Sequence, residues 1–205
     1  MKLPLEQVPA GQVRLDPTAV AEGRASRDVI LTITRPILVN PELITCEQWQ
    51  ATPGTRILGP GSDALPVSGI TWLDAIQFCN ATSAAHGLTQ AYYHRGRTWR
   101  WEYTAAGYRL PTEAEWLHTY SCLNLPTTPY HGVANGAGEW CWDRWGPLPV
   151  ASCTDPRGAI RGTLRVIRRV IRPDEQPCYR FSDRSAAEWN KTEPHVGLRI
   201  VRNGD

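Results

Sequence analysis

Three times along the chain a threonine is followed, three positions later, by Gln, Asp or Glu, with a tryptophan in or beside the motif. These are Thr45-Cys-Glu-Gln48 before Trp49, Thr71-Trp-Leu-Asp74, and Thr112-Glu-Ala-Glu115 before Trp116. Each reads as a capping box: the threonine oxygen accepts from the third amide of a helix, and the third side chain reaches back to the threonine N–H. The spacing therefore predicts helices starting at all three sites. The first stops before Pro53-Gly54. The second carries Trp72, Ala75, Ile76, Cys79 and the small Ser83 on one face, and Gly87 is its left-handed stop. The third gives way after Tyr120 to Pro126, Pro129, Gly132, Gly136 and Gly138, which break any period. With 17 Gly and 17 Pro among 205 residues, the remainder reads as turns and short strands rather than long helices.

Strand signals lie at 29–39, interrupted by Pro36, at Val166-Ile167 and Val170-Ile171, and at Val196-Gly-Leu-Arg-Ile-Val201. Alternation in the last predicts Val196, Leu198 and Ile200 on one face. There is no internal repeat and no low-complexity linker, so residues 1–205 read as one α+β domain with a single core.

Composition excludes several function classes. No apolar run approaches the ~20 residues that cross a bilayer, so no membrane partner is expected. The start Met1-Lys-Leu-Pro-Leu has no apolar stretch of a secretory signal. Six cysteines (46, 79, 122, 141, 153 and 178) show neither a C-x-x-C pair nor zinc spacing. They read as reduced core thiols of a cytoplasmic protein; display on a cell or phage surface is left open. Between Arg157 and Arg184 stand eight arginines against three acids, a local charge of +5. Such a patch suits nucleic acid or an acidic partner. The chain uses 20 Arg and 2 Lys throughout, however, so the patch reads as compositional bias and nucleic acid is not expected. The five histidines (86, 94, 118, 131 and 195) lack paired-ligand spacing, and no nucleophile-and-base arrangement, Walker loop or dinucleotide motif is present.

Several segments, in order, resemble the formylglycine-generating enzyme (sulfatase-modifying factor) family, whose fold is an elaborated C-type-lectin fold. They are Val8-Pro-Ala-Gly11, Pro66 to Asn80 with Trp72 and Asp74-Ala75, Gly87 to Tyr93, Gly107-Tyr-Arg-Leu-Pro-Thr-Glu-Ala-Glu-Trp116, Glu139-Trp-Cys-Trp-Asp143 with Trp145-Gly146, Arg165-Val-Ile-Arg168, Arg180/Arg184, and Val196 to Val201. The run 107–116 is the sharpest, and the similarity spans about residues 8–202. In physical terms these residues are mostly structural. Arg109, Glu113 and Glu115 flank a buried helix start, and Trp116, Trp140, Trp142 and Trp145 supply apolar area with N–H handles.

The resemblance implies copper(I) chemistry from two cysteines five residues apart, soft thiolates that leave the ion open to a substrate thiol and oxygen. Cys178 resembles the second of these, but Pro173 stands where the first belongs. One thiol cannot form that pair, so copper is not expected, no cofactor is required, and the enzyme reading survives as an alternative with Cys178 as catalytic ligand. The resemblance also implies a calcium site, for which Glu139 and the carbonyls of Asn135 and Ala137 remain; a glycine replaces the side-chain amide at position 132. Calcium takes about six to eight oxygens, so three protein donors would make a loose, watery site.

The competing implication is a binding module. C-type-lectin-fold proteins of this branch include variable ligand-binding proteins diversified by retroelements, whose changeable residues precede the closing Gly-x-Arg strand. Here that place holds Arg172, Asp174, Glu175, Tyr179, Arg180, Phe181, Asp183, Arg184, Glu188, Trp189 and Asn190. Exposed aromatic and arginine residues together are what an interface hot spot needs. The expected function is thus binding of a protein or other ligand through the 172–195 surface.

Overall fold

All three threonines cap helices. Thr45 precedes α1 (Cys46–Gln50), Thr71 precedes α2 (Trp72–Ala85) and Thr112 precedes α3 (Glu113–Cys122), each with both hydrogen bonds of the box in place. Gly87 follows α2 at φ +67, the left-handed stop its position predicts. The computed structural model describes residues 3–15, 29–57, 64–96, 98–123, 137–169 and 184–204. Among these, the strands form four small sheets. The architecture is α+β, with few helices and many short strands, as the sequence predicts.

The four-stranded sheet carries the centre of the fold. It orders β10 (Arg184–Glu188), β9 (Leu164–Arg168), β7 (Gly138–Arg144) and β11 (Val196–Gly197), with β11 parallel to β7. Two three-stranded sheets flank it. One orders β1 (Glu6–Val8), β4 (Ile37–Val39) and β12 (Val201–Asn203); the other orders β2 (Gly11–Leu15), β3 (Val29–Ile33) and β8 (Cys153–Thr154). A hairpin of β5 (Tyr92–Arg95) and β6 (Thr98–Trp101) stands apart. The break between β3 and β4 falls where Pro36 interrupts the apolar run.

Alternation along β7 separates two cores. Trp140 and Trp142 enter the larger one with Trp72, Ile76, Phe78, Tyr92 and Leu198. Cys141, between them, faces the other way, where Trp116, Leu117 and Tyr120 of α3 pack on Leu15, Leu31 and Val166. The tryptophans predicted as one cluster therefore serve both sides of one strand. Two indole N–H groups are matched by distant carbonyls: Trp72 Nε1 donates to that of Cys141 at 2.9 Å and Trp140 Nε1 to that of Ile70 at 3.2 Å.

The closing segment meets its expectation in part: Val196, Leu198 and Ile200 share the larger core, but they do not lie on a single strand. Val196–Gly197 pairs with β7, the chain then leaves that sheet, and Val201–Asn203 pairs with β4. The intervening residues are buried as well, because the segment passes between two sheets. Gly197 lies so close to the Val67 carbonyl that a Cβ would clash with it. Arg199, at an inward position of this passage, is buried with Glu139.

Buried charge ties these layers together. Glu115 takes both terminal nitrogens of Arg109 at 2.7 Å and the Thr112 N–H at 2.8 Å. Glu113 accepts from Arg184 at 2.6 and 2.9 Å and from Arg168 at 3.3 Å. Glu139 accepts from Arg199 at 2.9 and 3.2 Å and from the Tyr120 hydroxyl at 2.6 Å. Asp143 is different. It is buried and accepts the Glu113 N–H at 2.9 Å, with no ion pair among the described residues. Burial, and then the negative charge of Glu113, push its carboxyl well above the usual carboxylate range.

Two outcomes follow from this packing. Trp116→Ala is expected to cost about 3–5 kcal/mol in denaturant melts, as for a large buried aromatic, and a loss below ~1 kcal/mol would reject its core role. For Asp143 the folded state binds the proton more tightly than the unfolded chain does. Its contribution is therefore fully present below the ordinary carboxylate pKa and is lost as pH rises toward the folded value, by at most about 1.4 kcal/mol per pH unit. Asp143→Asn keeps an acceptor for Glu113 N–H and removes that titration. The variant should melt higher than wild type at pH 7, with the gap closing toward pH 4; a variant less stable at pH 7 would contradict the assignment.

Candidate ligand-binding surface

The sequence places the binding residues around β10, and the structure divides them along that strand. Arg172, Asp174, Glu175, Cys178, Tyr179, Arg180, Phe181 and Asp183, with Pro173, lie outside the described residues. Arg184 opens β10, and Glu188, Trp189 and Asn190 stand at its other end, roughly 13 Å along at the usual rise per strand residue.

At the first end the structure turns Arg184 inward. Its guanidinium grips Glu113, donates to the Gly146 carbonyl at 2.7 Å and lies 4.1 Å from the Trp145 ring centroid. Beside it is an apolar cavity of about 260 Å³, walled by Leu31, Leu117, Leu148 and the three prolines 147, 149 and 156, with Asp143 and Glu113 at its polar edge.

The far end is open to solvent. Antiparallel pairing sets Leu164 opposite Glu188. Trp189 is pinned through its backbone on two sides: its N–H donates to the Thr163 carbonyl at 3.4 Å and its carbonyl accepts from Leu73 N–H at 3.1 Å. Its side chain nonetheless remains 37% exposed, and Leu164 is 38% exposed. Ile160, shortly before, is 92% exposed. A fixed backbone carrying an exposed indole loses little freedom on binding, which favours an anchor residue. Trp189 thus does not pack away in the Trp cluster. Glu188, Asn190 and Lys191 are exposed around it.

The residues named for calcium sit apart from this surface. Asn135 lies outside the described residues, Ala137 is buried, and both Glu139 oxygens are engaged by Arg199 and Tyr120. A cation at Glu139 would have to share the carboxylate with a guanidinium. Of the histidines, His118 is buried on α3 with Nε2 2.9 Å from the Pro9 carbonyl. Cys122 brings its sulfur within 3.6 and 3.7 Å of both His118 ring nitrogens, a juxtaposition the sequence reading did not assign. Near-equal distances put the sulfur over the ring rather than in line with one nitrogen, so the pair is not aligned for proton transfer.

The Arg-rich segment is divided: Arg157 and Arg161 are exposed, while others are interior. Arg165 and Arg168 are buried, and Arg165 has no carboxylate partner among the described residues. Its guanidinium instead lies 3.6 Å from the Trp72 ring centroid and donates to the Trp142 carbonyl at 2.6 Å. Burial first, and then the nearby Arg144, lower its pKa to about 9. Missed in the sequence was the pairing of Glu113 with Arg184 and Arg168, which lie 71 and 55 residues away. The available signal was two acids placed in an apolar helix start, which require cations from elsewhere.

Comparison with known proteins identifies the fold and the family. The chain is 31% identical over 124 residues to the chaperone protein LppX of Paenibacillus barcinonensis, a match covering 52% of this chain and 44% of that protein. It therefore spans less than half the length of that curated relative. Among solved structures, Treponema denticola variable protein 1 superposes with a TM-score of 0.69 at 19% identity, over 98% of this chain and 95% of that one. CarF gives 0.65 at 19% identity over the whole of both chains, and PvdO from Pseudomonas aeruginosa 0.66 at 14% identity over 98% and 94%. At such identities the likeness shows the shared fold. Residues 13–122, more than half of the chain, match the sulfatase-modifying factor enzyme 1-like domain, and the chain belongs to that family.

Proposed function

We propose that this chain is a binding module of the family, which holds a protein ligand through the surface around β10. The observation that carries this reading is Trp189, held by its backbone between Thr163 and Leu73 with its side chain still exposed. An exposed indole on a fixed backbone, with the polar residues Glu188, Asn190 and Lys191 around it, has the make-up of an interface anchor. Arg172, Asp174, Glu175, Tyr179, Arg180, Phe181 and Asp183 extend the surface in the sequence and supply further aromatic and charged groups. Likeness to a variable protein and to a chaperone protein supports a protein ligand and a surface whose side chains set specificity. Five free thiols among the described residues favour a reducing, cytoplasmic setting. No helix among them is long and apolar enough to cross a membrane.

The family match keeps a second reading in view, a copper-dependent oxidase that converts a peptidyl cysteine to formylglycine with Cys178 as ligand. Pro173 offers no donor where the first thiolate of the pair is needed.

One pair of measurements separates the two. Under copper(I) competition with a thiol chelator, the protein is expected to keep no stoichiometric metal and to leave a Cys-x-Pro-x-Arg peptide unoxidised under oxygen. One copper per chain that disappears in Cys178→Ser would establish the oxidase instead. In crosslinking pull-downs, the combined Tyr179→Ala, Arg180→Ala and Trp189→Ala variant should lose the wild type's partner while its melting temperature holds. Retention of that partner would move the binding surface elsewhere.

A further inference from the structure

A second cavity, of about 330 Å³, opens on a different part of the molecule from Trp189 and serves nothing described so far. Its walls come from the turn after β3 (Thr34, Arg35), the end of β6 and the chain after it (Trp101, Tyr103) and the turn after β8 (Asp155, Arg157), with Arg109 and Glu115 at its base. Arg109 and Glu115 neutralise each other through two 2.7 Å bonds. That leaves two exposed guanidiniums, Arg35 and Arg157, against the single carboxylate of Asp155, and neither arginine has an ion-pair partner among the described residues.

The hydrogen-bonding groups are as one-sided as the charge. Asp155 spends one oxygen on the Thr34 N–H at 2.9 Å and the other on the Thr34 hydroxyl at 2.6 Å. Asn203 Oδ1 accepts from Arg109 at 3.1 and 3.3 Å, and its amide donates to the Tyr103 and Ala105 carbonyls. The groups left over are chiefly donors: the two guanidiniums, the Trp101 Nε1–H, which has no acceptor among the described residues, and the Tyr103 hydroxyl, which can also accept. A wall offering donors in excess of acceptors, with surplus positive charge, complements an oxyanion.

The backbone shows that Arg157 is held on purpose. Asp155 is the one non-glycine residue with positive φ (+43) among those described, a conformation that costs energy and persists only where surroundings enforce it. It is enforced by the Thr34 bonds and by its own N–H donating to the Thr32 carbonyl at 2.8 Å. Gly158 follows at φ +76, where a Cβ would collide with Asp143 Cβ and the Arg144 backbone. Between these two fixed points Arg157 lays its guanidinium 3.4 Å from the Tyr103 ring centroid and 5.6 Å from that of Trp101. Stacking orients the planar group while leaving its edge donors free for a bidentate partner.

We propose that this cavity binds a small organic oxyanion, a carboxylate or a phosphate carried on an apolar body, with Arg157 and Arg35 as its donors and the Trp101–Tyr103 wall against the body. The cavity exceeds the size of an inorganic ion, which is why an organic carrier is assigned.

Benzoate and phenyl phosphate serve as probes, benzyl alcohol as their neutral counterpart and inorganic phosphate as the bare ion. In isothermal titration at low salt, at least one organic anion should saturate at one per chain below about 10 mM, and the neutral compound should not. In parallel, the Trp101 indole N–H resonance should shift with the same saturation curve. Which anion binds decides between the carboxylate and phosphate sources. Arg157→Ala and Arg35→Ala should each weaken binding tenfold or more with little change in melting temperature; Arg157→Lys, which keeps the charge without the planar fork, should fall between. The proposal is overturned if no organic anion saturates, if benzyl alcohol or inorganic phosphate binds as well, or if folded Arg157→Ala and Arg35→Ala bind like wild type.

Discussion

The arrangement on which the rest of the fold depends is the first turn of α3. Its two carboxylates are buried, and each recruits cations from distant parts of the chain. Glu115 holds Arg109, whose own backbone exchanges two 2.8 Å bonds with Val201, so the helix start is fastened to the final strand. Glu113 holds Arg168 on β9 and Arg184 on β10, while its N–H is taken by Asp143 on β7. One helical turn thereby fixes three strands of the central sheet. Removing a partner from such a pair typically costs ~3–5 kcal/mol, because the remaining charge stays buried without compensation. The network is less a gain in stability over an apolar core than a specification of which elements meet.

Several arginines of this frame serve in a way that lysines could not. The guanidiniums of Arg109, Arg165, Arg168, Arg184 and Arg199 each lie against an aromatic ring, at 3.6 to 5.4 Å from its centroid. Four of the five also bond a carboxylate. A planar cation can present a face to an indole and an edge to an acid at the same time, and a lysine ammonium cannot. Within the Arg excess between 157 and 184, which on composition alone suggests a polyanion partner, Arg165, Arg168 and Arg184 are built into the structure by such contacts.

What the sequence made legible was local. The capping boxes, the apolar face of α2, the Gly87 stop and the break at Pro36 all depend on neighbours within a few residues, and all appear in the structure. What it hid was decided at long range. Glu113 and Glu115 look alike as acids in a first helical turn, yet Glu115 closes the capping box and Glu113 reaches across to β9 and β10. Alternation from 196 to 201 predicted one strand, but the segment changes sheets midway and buries both faces. The exposure of Trp189 was undecidable from spacing, since an aromatic after a strand packs inward or outward according to what covers it.

Both candidate surfaces are built on connections, not on the frame. Trp189 follows β10 and is pinned to the chain before β9 and to the start of α2; Arg157 rides the turn after β8, braced on the end of β3. Neither takes part in the α3 network. Side chains at these turns are therefore able to change without disturbing the buried charges that specify the fold. Structures at 14–19% identity superpose on this chain over nearly its full length, so the frame accommodates very different sequences. A scaffold whose specificity-bearing residues are uncoupled from its stabilising ones suits a binding protein, where affinity is set by a few anchors. Catalysis by a thiolate pair makes the opposite demand, because two donors on one loop must converge on a single ion, and a proline at one of those positions leaves the other without a partner.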